Sequence, residues 1–282
     1  MSRLKTIVIP DHAEKAKQRN AKKGLSGRVR VGRIKRRFET GKKFPYTKGY
    51  INIIVMSYNK TKLGSQLSPY VLKDKKGRNM ENIWQFAKLY KYTPKVYDKC
   101  GWKYLETQFC KSKKDKPNKD YWKWRKEGMY FKNPVRYPVG FKHRHECIGL
   151  LWPKDGNYKN ICNPDVEMVN YDYVTARKKV YNKLYMDMAK ETDDFKVLRK
   201  LLKKGYNIQL LDVDGPEKRF DEYGDAGEPY NQMVDGEYGE SGVGTIRINK
   251  SNIKKILNNT SQPMGHGYAL AAALLKKEHW IL

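Results

Sequence analysis

The sequence predicts an α+β fold that is mainly α-helical, a single domain with a few short strands behind a flexible basic arm at residues 1–48. Three observations predict it. Helical periodicity runs from 172 to 204 and returns at 251–258 and 265–277. The Ile- and Leu-rich runs at 49–57 and 207–213 have the length of strands. Glycines at 24, 27, 32 and 41 break regularity in a lysine- and arginine-rich start.

The elements follow in order. Residues 13–23 suit a short helix within the arm, and 49–57 form the strand that enters the folded part. A loop with a short extended piece covers 65–72, and a turn covers 74–78. A helix starts at 79 or 80 and continues to about 92. Residues 93–160 are aromatic and basic with little periodicity, and 135–140 read as an extended stretch closed by a turn. Two helical pieces fill 172–204. The second opens on Thr192 as N-cap, with Asp193 and Asp194 in its first turn, and stops at Gly205. A strand at 207–213 precedes an acidic, glycine-rich loop at 216–243. A short strand at 244–248, a short helix at 251–258 and an apolar closing helix at 265–277 complete the chain.

Composition narrows the function. The 282 residues are 39% hydrophobic and 12% aromatic, enough to bury a core. There is no apolar run of roughly 18 residues to span a bilayer. The apolar run at 7–10 is too brief for a signal-peptide core. The expectation is an intracellular protein, in cytoplasm or nucleus, with no membrane partner. The cysteines at 100, 110, 147 and 162 form no Cys-x-x-Cys pair and read as reduced thiols. His143, His145 and Cys147 would share one side of an extended strand, but no second cluster at ligand spacing completes a zinc site. No metal and no cofactor is expected.

The net charge of +29 attracts polyanions, and it is unevenly spread. Residues 1–50 hold 16 Lys and Arg against 3 Asp and Glu, and residues 91–150 hold 16 against 6. DNA or RNA is the expected partner. Arg33, Lys35, Arg36 and Arg37 form one basic run. In Asp-Tyr-Trp-Lys-Trp-Arg at 120–125, Lys123 and Arg125 alternate with aromatics, so that rings can stack on bases while cations meet phosphates. Trp122 and Trp124 fit equally well as core anchors.

The octamer Glu-Asn-Ile-Trp-Gln-Phe-Ala-Lys at 81–88 carries the most chemistry. On a helix, Glu81, Gln85 and Lys88 fall on one face, with Ile83, Trp84 and Ala87 on the apolar flank. A carboxylate, an amide and an ammonium beside an aromatic can hold a polar ligand and move a proton. The same three residues also fit a solvated stripe.

Four segments, in order, resemble the NADAR superfamily of YbiA-like N-glycosidases. Gln-Leu-Ser-Pro-Tyr-Val-Leu at 66–72 resembles its serine-bearing loop, with Ser68 as the serine. The octamer at 81–88 resembles its Glu-x-x-aromatic-Gln-x-x-Lys signature. The helix at 195–205 with Ile-Gln-Leu-Leu-Asp at 208–212 resembles its helix, glycine stop and strand ending in an acid. Gly-His-Gly-Tyr-Ala-Leu at 265–270 resembles its closing glycine-led helix. The chain departs from the family in a basic aromatic insert at 90–172, in the acidic loop at 216–243 and in the basic arm. The family's Trp-Gly turn is replaced by Asp-Val-Asp-Gly-Pro-Glu at 212–217, which leaves Asp212, Asp214 and Glu217 as candidates for its acid. A remote viral or phage-like branch would account for such additions.

The resemblance implies a hydrolase that cleaves an N-glycosidic bond of an ADP-ribosyl or ribosyl-phosphate group, on nucleic acid as an attractive case. It implies Glu81 as the carboxylate that activates water. Lys88 would contact a phosphate or hydroxyl or hold a covalent sugar adduct, and Asp212 or Asp214 would add a second acid. Ser68, Trp84, Gln85 and the Gly265–His266–Gly267 turn would bind substrate, the turn through helix N-terminal amides. The alternative is a non-catalytic nucleic-acid-binding or virion-associated protein on the same fold.

Overall fold

The computed structural model describes residues 9–34, 47–56, 62–94, 109–111, 117–216, 244–261 and 263–282. The fold is mixed α+β, with helix outweighing strand. The chain divides into two compact units, Met1–Ser68 with Tyr185–Leu282, and Pro69–Leu184.

The first unit is built on a four-stranded sheet. Strand β1 is Val29–Arg33 and β2 is Tyr50–Ile54; with β8 at Asn207–Asp212 and β9 at Thr245–Arg247, the order across the sheet is β2, β8, β1, β9. β8 (Asn207–Asp212) runs parallel to both neighbours and is buried along its whole length, as a parallel strand covered on two faces must be. β9 (Thr245–Arg247) closes one edge antiparallel to β1. Helix α1 (Asp11–Lys22) packs on β2 and β8, with Asn20 donating to the Asn207 side chain and the Gly205 carbonyl. Helix α6 (Asp193–Lys203) and the closing helix α8 (His266–Leu274) also pack on β8, and every residue of α8 is buried. Helix α7 (Lys250–Asn258) follows β9.

One sequence expectation changes here. Residues 11–33 are not a mobile arm. Val29 and Val31 are core residues, and β1 pairs with β8 from Val29↔Ile208 to Arg33↔Asp212. A strand this short becomes recognisable only beside partners some 180 residues away, as the Val29–Ile208 register shows. The rest of the proposed arm, at 1–8 and 35–46, lies outside the described residues, as do residues 217–243 of the acidic loop. By contrast, Thr192 caps α6 by accepting from Phe195 N–H, and Gly205 stops it at φ +90°, as the sequence predicts.

The second unit centres on helix α2 (Met80–Ala87). α2 is capped by Asn79, whose side chain accepts from the Glu81 and Asn82 amides. The helix ends at Ala87, earlier than the predicted 92. Lys88 is extended (ψ 145°), and Lys88–Tyr90 leaves as strand β3. β3 pairs with β6 (Cys147–Pro153), which pairs with β7 (Met168–Tyr171), all antiparallel. β4 (Tyr92–Pro94) and β5 (Phe109–Lys111) form a separate pair. Helix α3 (Lys119–Met129), capped by Asn118, crosses α2 so closely that Gly128 faces the Phe86 ring with no room for a Cβ. The residues read as an insert thus supply the packing around α2. Helix α4 (Tyr173–Ala176) runs into a π-helical turn, Arg177–Asn182, and then α5 (Lys183–Lys190). Among the described residues, no helix is long and apolar enough to cross a membrane.

Candidate functional site

The octamer forms a polar chain in the second unit, with Glu81 and Gln85 buried and Lys88 half-buried. Gln85 Nε2 donates to Glu81 Oε1 at 2.7 Å, and Lys88 Nζ donates to Gln85 Oε1 at 2.7 Å. Only one orientation of the Gln85 amide serves both ends, because a carboxylate accepts and an ammonium donates. Glu81 is 7% exposed and Gln85 8%, which removes them from the solvated stripe that spacing alone allowed. Glu81 lies in the first turn of α2, where the helix dipole favours a negative charge.

Lys88 reaches Gln85 because the helix stops before it. Arg125, fully buried, donates from Nη1 to the Ala87 carbonyl, from Nε to the Ile161 carbonyl and from Nη2 to the Leu151 carbonyl. Tyr121 receives a further hydrogen bond from Arg125 and donates its own hydroxyl to the Lys88 carbonyl. These bonds take up the carbonyls at the end of α2 and turn the chain into β3. Asn82, on the same helix, bonds the Phe131 and Asn133 carbonyls and the Val135 amide. The Lys88 ammonium lies 5.4 Å from the centre of the Trp84 ring, which meets Tyr181 of the π-helical turn edge-on at 5.0 Å. π-turns are frequent at functional sites.

Burial pushes the Lys88 ammonium below its ordinary value, the Arg136 charge pushes the same way, and Cys147 and Glu81 oppose both. The unfolded chain therefore holds more protons than the folded one between the depressed value and 10.5. Stability rises with pH across that window. Lys88→Met removes this titration, so the stability of the variant relative to wild type should decline as pH climbs towards 10.5. Urea unfolding across that range reads it; a difference independent of pH would exclude the burial effect.

In the first unit, Asp212 ends β8 and is 2% exposed. Its Oδ2 accepts from the Gly267 amide at 2.8 Å and lies 3.3 Å from His266 Nδ1, while His266 Nε2 bonds the Val55 carbonyl at 2.6 Å. The Gly267 amide, expected to meet a substrate phosphate, is occupied by the chain's own carboxylate. Gly265 is needed for this approach, since a Cβ there would lie 2.3 Å from Asp212 Oδ2. Asp214 is half-buried and turns back on Asp212 through its amide. Burial and the neighbouring Asp212 charge hold the Tyr185 hydroxyl well above its ordinary value; it donates to the Leu67 carbonyl. Ser68 is buried in the loop after Leu67, and Asp194 anchors that loop by accepting from the Gly64 and Gln66 amides. In the sequence Asp194 is legible only as a first-turn acid of α6.

The structure thus gathers Glu81, Trp84, Gln85 and Lys88 in one unit, and Asp212, Asp214, Gly265, His266 and Gly267 in the other. The basic candidates fare differently. Lys123 is exposed, but Arg125 is a buried carbonyl clamp, not a phosphate contact, and Trp124 is a core anchor. Arg33 is half-buried and donates to the Gly215 carbonyl; Lys35, Arg36 and Arg37 lie outside the described residues. His143 pairs with Glu146 in a turn before β6 and is not on a strand with His145 and Cys147. No group of three His, Cys, Asp or Glu that could hold a metal occurs among the described residues. No family model, curated protein or solved structure matches the chain.

Proposed function

We propose that the chain is an N-glycosidase of the NADAR type, acting on an ADP-ribosyl or ribosyl-phosphate group. The observation that carries this reading is the hydrogen-bonded Glu81–Gln85–Lys88 chain, with its carboxylate and amide buried. The Gln85 amide fixes the Glu81 carboxylate and the Lys88 ammonium at the two ends of one hydrogen-bonded chain. In the reaction, Glu81 takes a proton from water as oxygen adds to C1′ of the ribose. The C1′–N bond breaks, and the departing nitrogen takes up a proton. Gln85 orients the ribose, and Lys88 meets a hydroxyl or phosphate or holds the sugar covalently. The net charge of +29 supports nucleic acid as the carrier of the modified base. It equally favours the second reading, a nucleic-acid-binding or virion-associated protein without turnover.

The test is hydrolysis of ADP-ribosylated guanine, free and within DNA. Wild type should release the ribosyl product, and Glu81→Gln should lose on the order of 10²–10⁴-fold in rate while keeping its fold. Full activity in that variant, or none in wild type, overturns the assignment.

A further inference from the structure

The segment 130–148, the loop between α3 and β6 with the first two residues of β6, is built from two kinds of residue. One kind anchors it. Val135 and Val139 are fully buried, the Pro138 carbonyl accepts from Trp124 Nε1, and Asn82 bonds the backbone at 131, 133 and 135. The other kind faces outwards without serving the core. Phe141 is 59% exposed, Tyr130 52% and Ile148 44%. The outer rings are ordered by one another. Tyr137 meets Phe141 edge-on at 5.1 Å, the Arg136 guanidinium lies 5.3 Å from the Tyr137 ring centre, and that of Arg144 lies 3.7 Å from the Phe141 ring centre. Arg144 Nη1 also donates to the Phe141 carbonyl at 2.6 Å. Turns at Gly140 (φ +79°) and at 143–146 hold the backbone between them.

We infer that this loop is a docking surface for a single-stranded polynucleotide, with Phe141 and Tyr137 stacking on bases and Arg136, Lys142 and Arg144 meeting phosphates. Charge favours this occupant. The loop holds Lys132, Arg136, Lys142 and Arg144 against one acid, Glu146, which is paired with His143. Single strands are bound in this way, by aromatic platforms set among cations, with little demand on sequence. An anionic membrane would need Phe141 to insert, and the guanidinium stacked on its ring opposes insertion. A protein interface would accept the rings and arginines but is depleted in lysine, and Lys132 and Lys142 stand among them. The surface lies within the basic region 91–150 but outside the runs at 33–37 and 120–125, and it does not rest on the glycosidase reading.

The experiment is fluorescence anisotropy of the full chain with a labelled oligothymidylate about 20 nucleotides long, across a salt series. Phe141→Ala should weaken binding by about tenfold with an unchanged circular dichroism spectrum. Arg144→Gln should weaken it and lower the salt slope by about 0.7. Lys254→Gln, an exposed cation of α7 outside the loop, should leave affinity within about twofold, because it removes a single solvent-screened charge and no stacking ring. Three results overturn the proposal: no binding by wild type, equal losses in Lys254→Gln and Phe141→Ala, or a Phe141→Ala defect seen with phosphatidylserine vesicles but not with the oligonucleotide. None of these depends on hydrolysis, so the two readings can fail separately.

Discussion

Arg125→Met is expected to destabilise the Pro69–Leu184 unit by on the order of 3–5 kcal/mol, read as a lower urea midpoint. The side chain is wholly enclosed and its hydrogen bonds run to neutral oxygens, those of Ala87, Leu151, Ile161 and Tyr121. Methionine fills much of the same volume, so the loss isolates the guanidinium. Three carbonyls and one hydroxyl would lose a buried donor, and each such loss costs about 1–3 kcal/mol before relaxation. Part of what is lost is electrostatic, because the Ala87 carbonyl is at the negative end of α2. Arg125→Lys should recover only part of the stability, since an ammonium cannot reproduce the planar fork that reaches carbonyls in three directions. A methionine variant within about 1 kcal/mol of wild type would contradict the clamp. The clamp also bears on the site. With Ala87 released, α2 is free to extend through Lys88, and the hydrogen bond from Lys88 to Gln85 would no longer be fixed by the turn into β3.

That clamp marks where sequence reading stops. Local signals were legible: Thr192 with its two acids, Gly205, the Ile- and Leu-rich β8 and the fully apolar α8 are each written in a few adjacent residues. The stripe of Glu81, Gln85 and Lys88 was legible as a spacing, but whether it faced water or protein depended on residues 121–182 folding over it. Nothing in Asp-Tyr-Trp-Lys-Trp-Arg distinguishes a cation at the surface from one that binds three carbonyls. Helix α3 carried a usable signal that was not taken up, Asn118 as N-cap with Asp120 in the first turn. Strand β1 carried almost none. Arginines at 28, 30 and 33 alternate with valines there, and only the pairing with β8 and β9 places Arg30 in a buried layer beside Thr245.

Asp212→Ala should cost the other unit about 3 kcal/mol or more, because it removes a buried acceptor from several donors at once. Oδ2 accepts the Gly267 amide and pairs with His266, and Oδ1 accepts the Asp214 amide. Gly265 and Gly267 both lie within 3.2 Å of this carboxylate when a Cβ is built on them, so α8 begins where the carboxylate permits. Asp212→Asn separates structure from chemistry. The amide oxygen can still accept from Gly267, but its NH₂ then takes the Oδ1 place and faces the Asp214 amide donor, and about half of the loss should return. If Asp212 acts in turnover as well as in capping α8, Asn should recover stability without recovering hydrolysis. If it acts only as a cap, activity should follow stability in both variants. An alanine variant with an unchanged melting temperature would reject the capping role. The Gly267 amide would then be open to a phosphate, as the resemblance to the glycine-led helix implies.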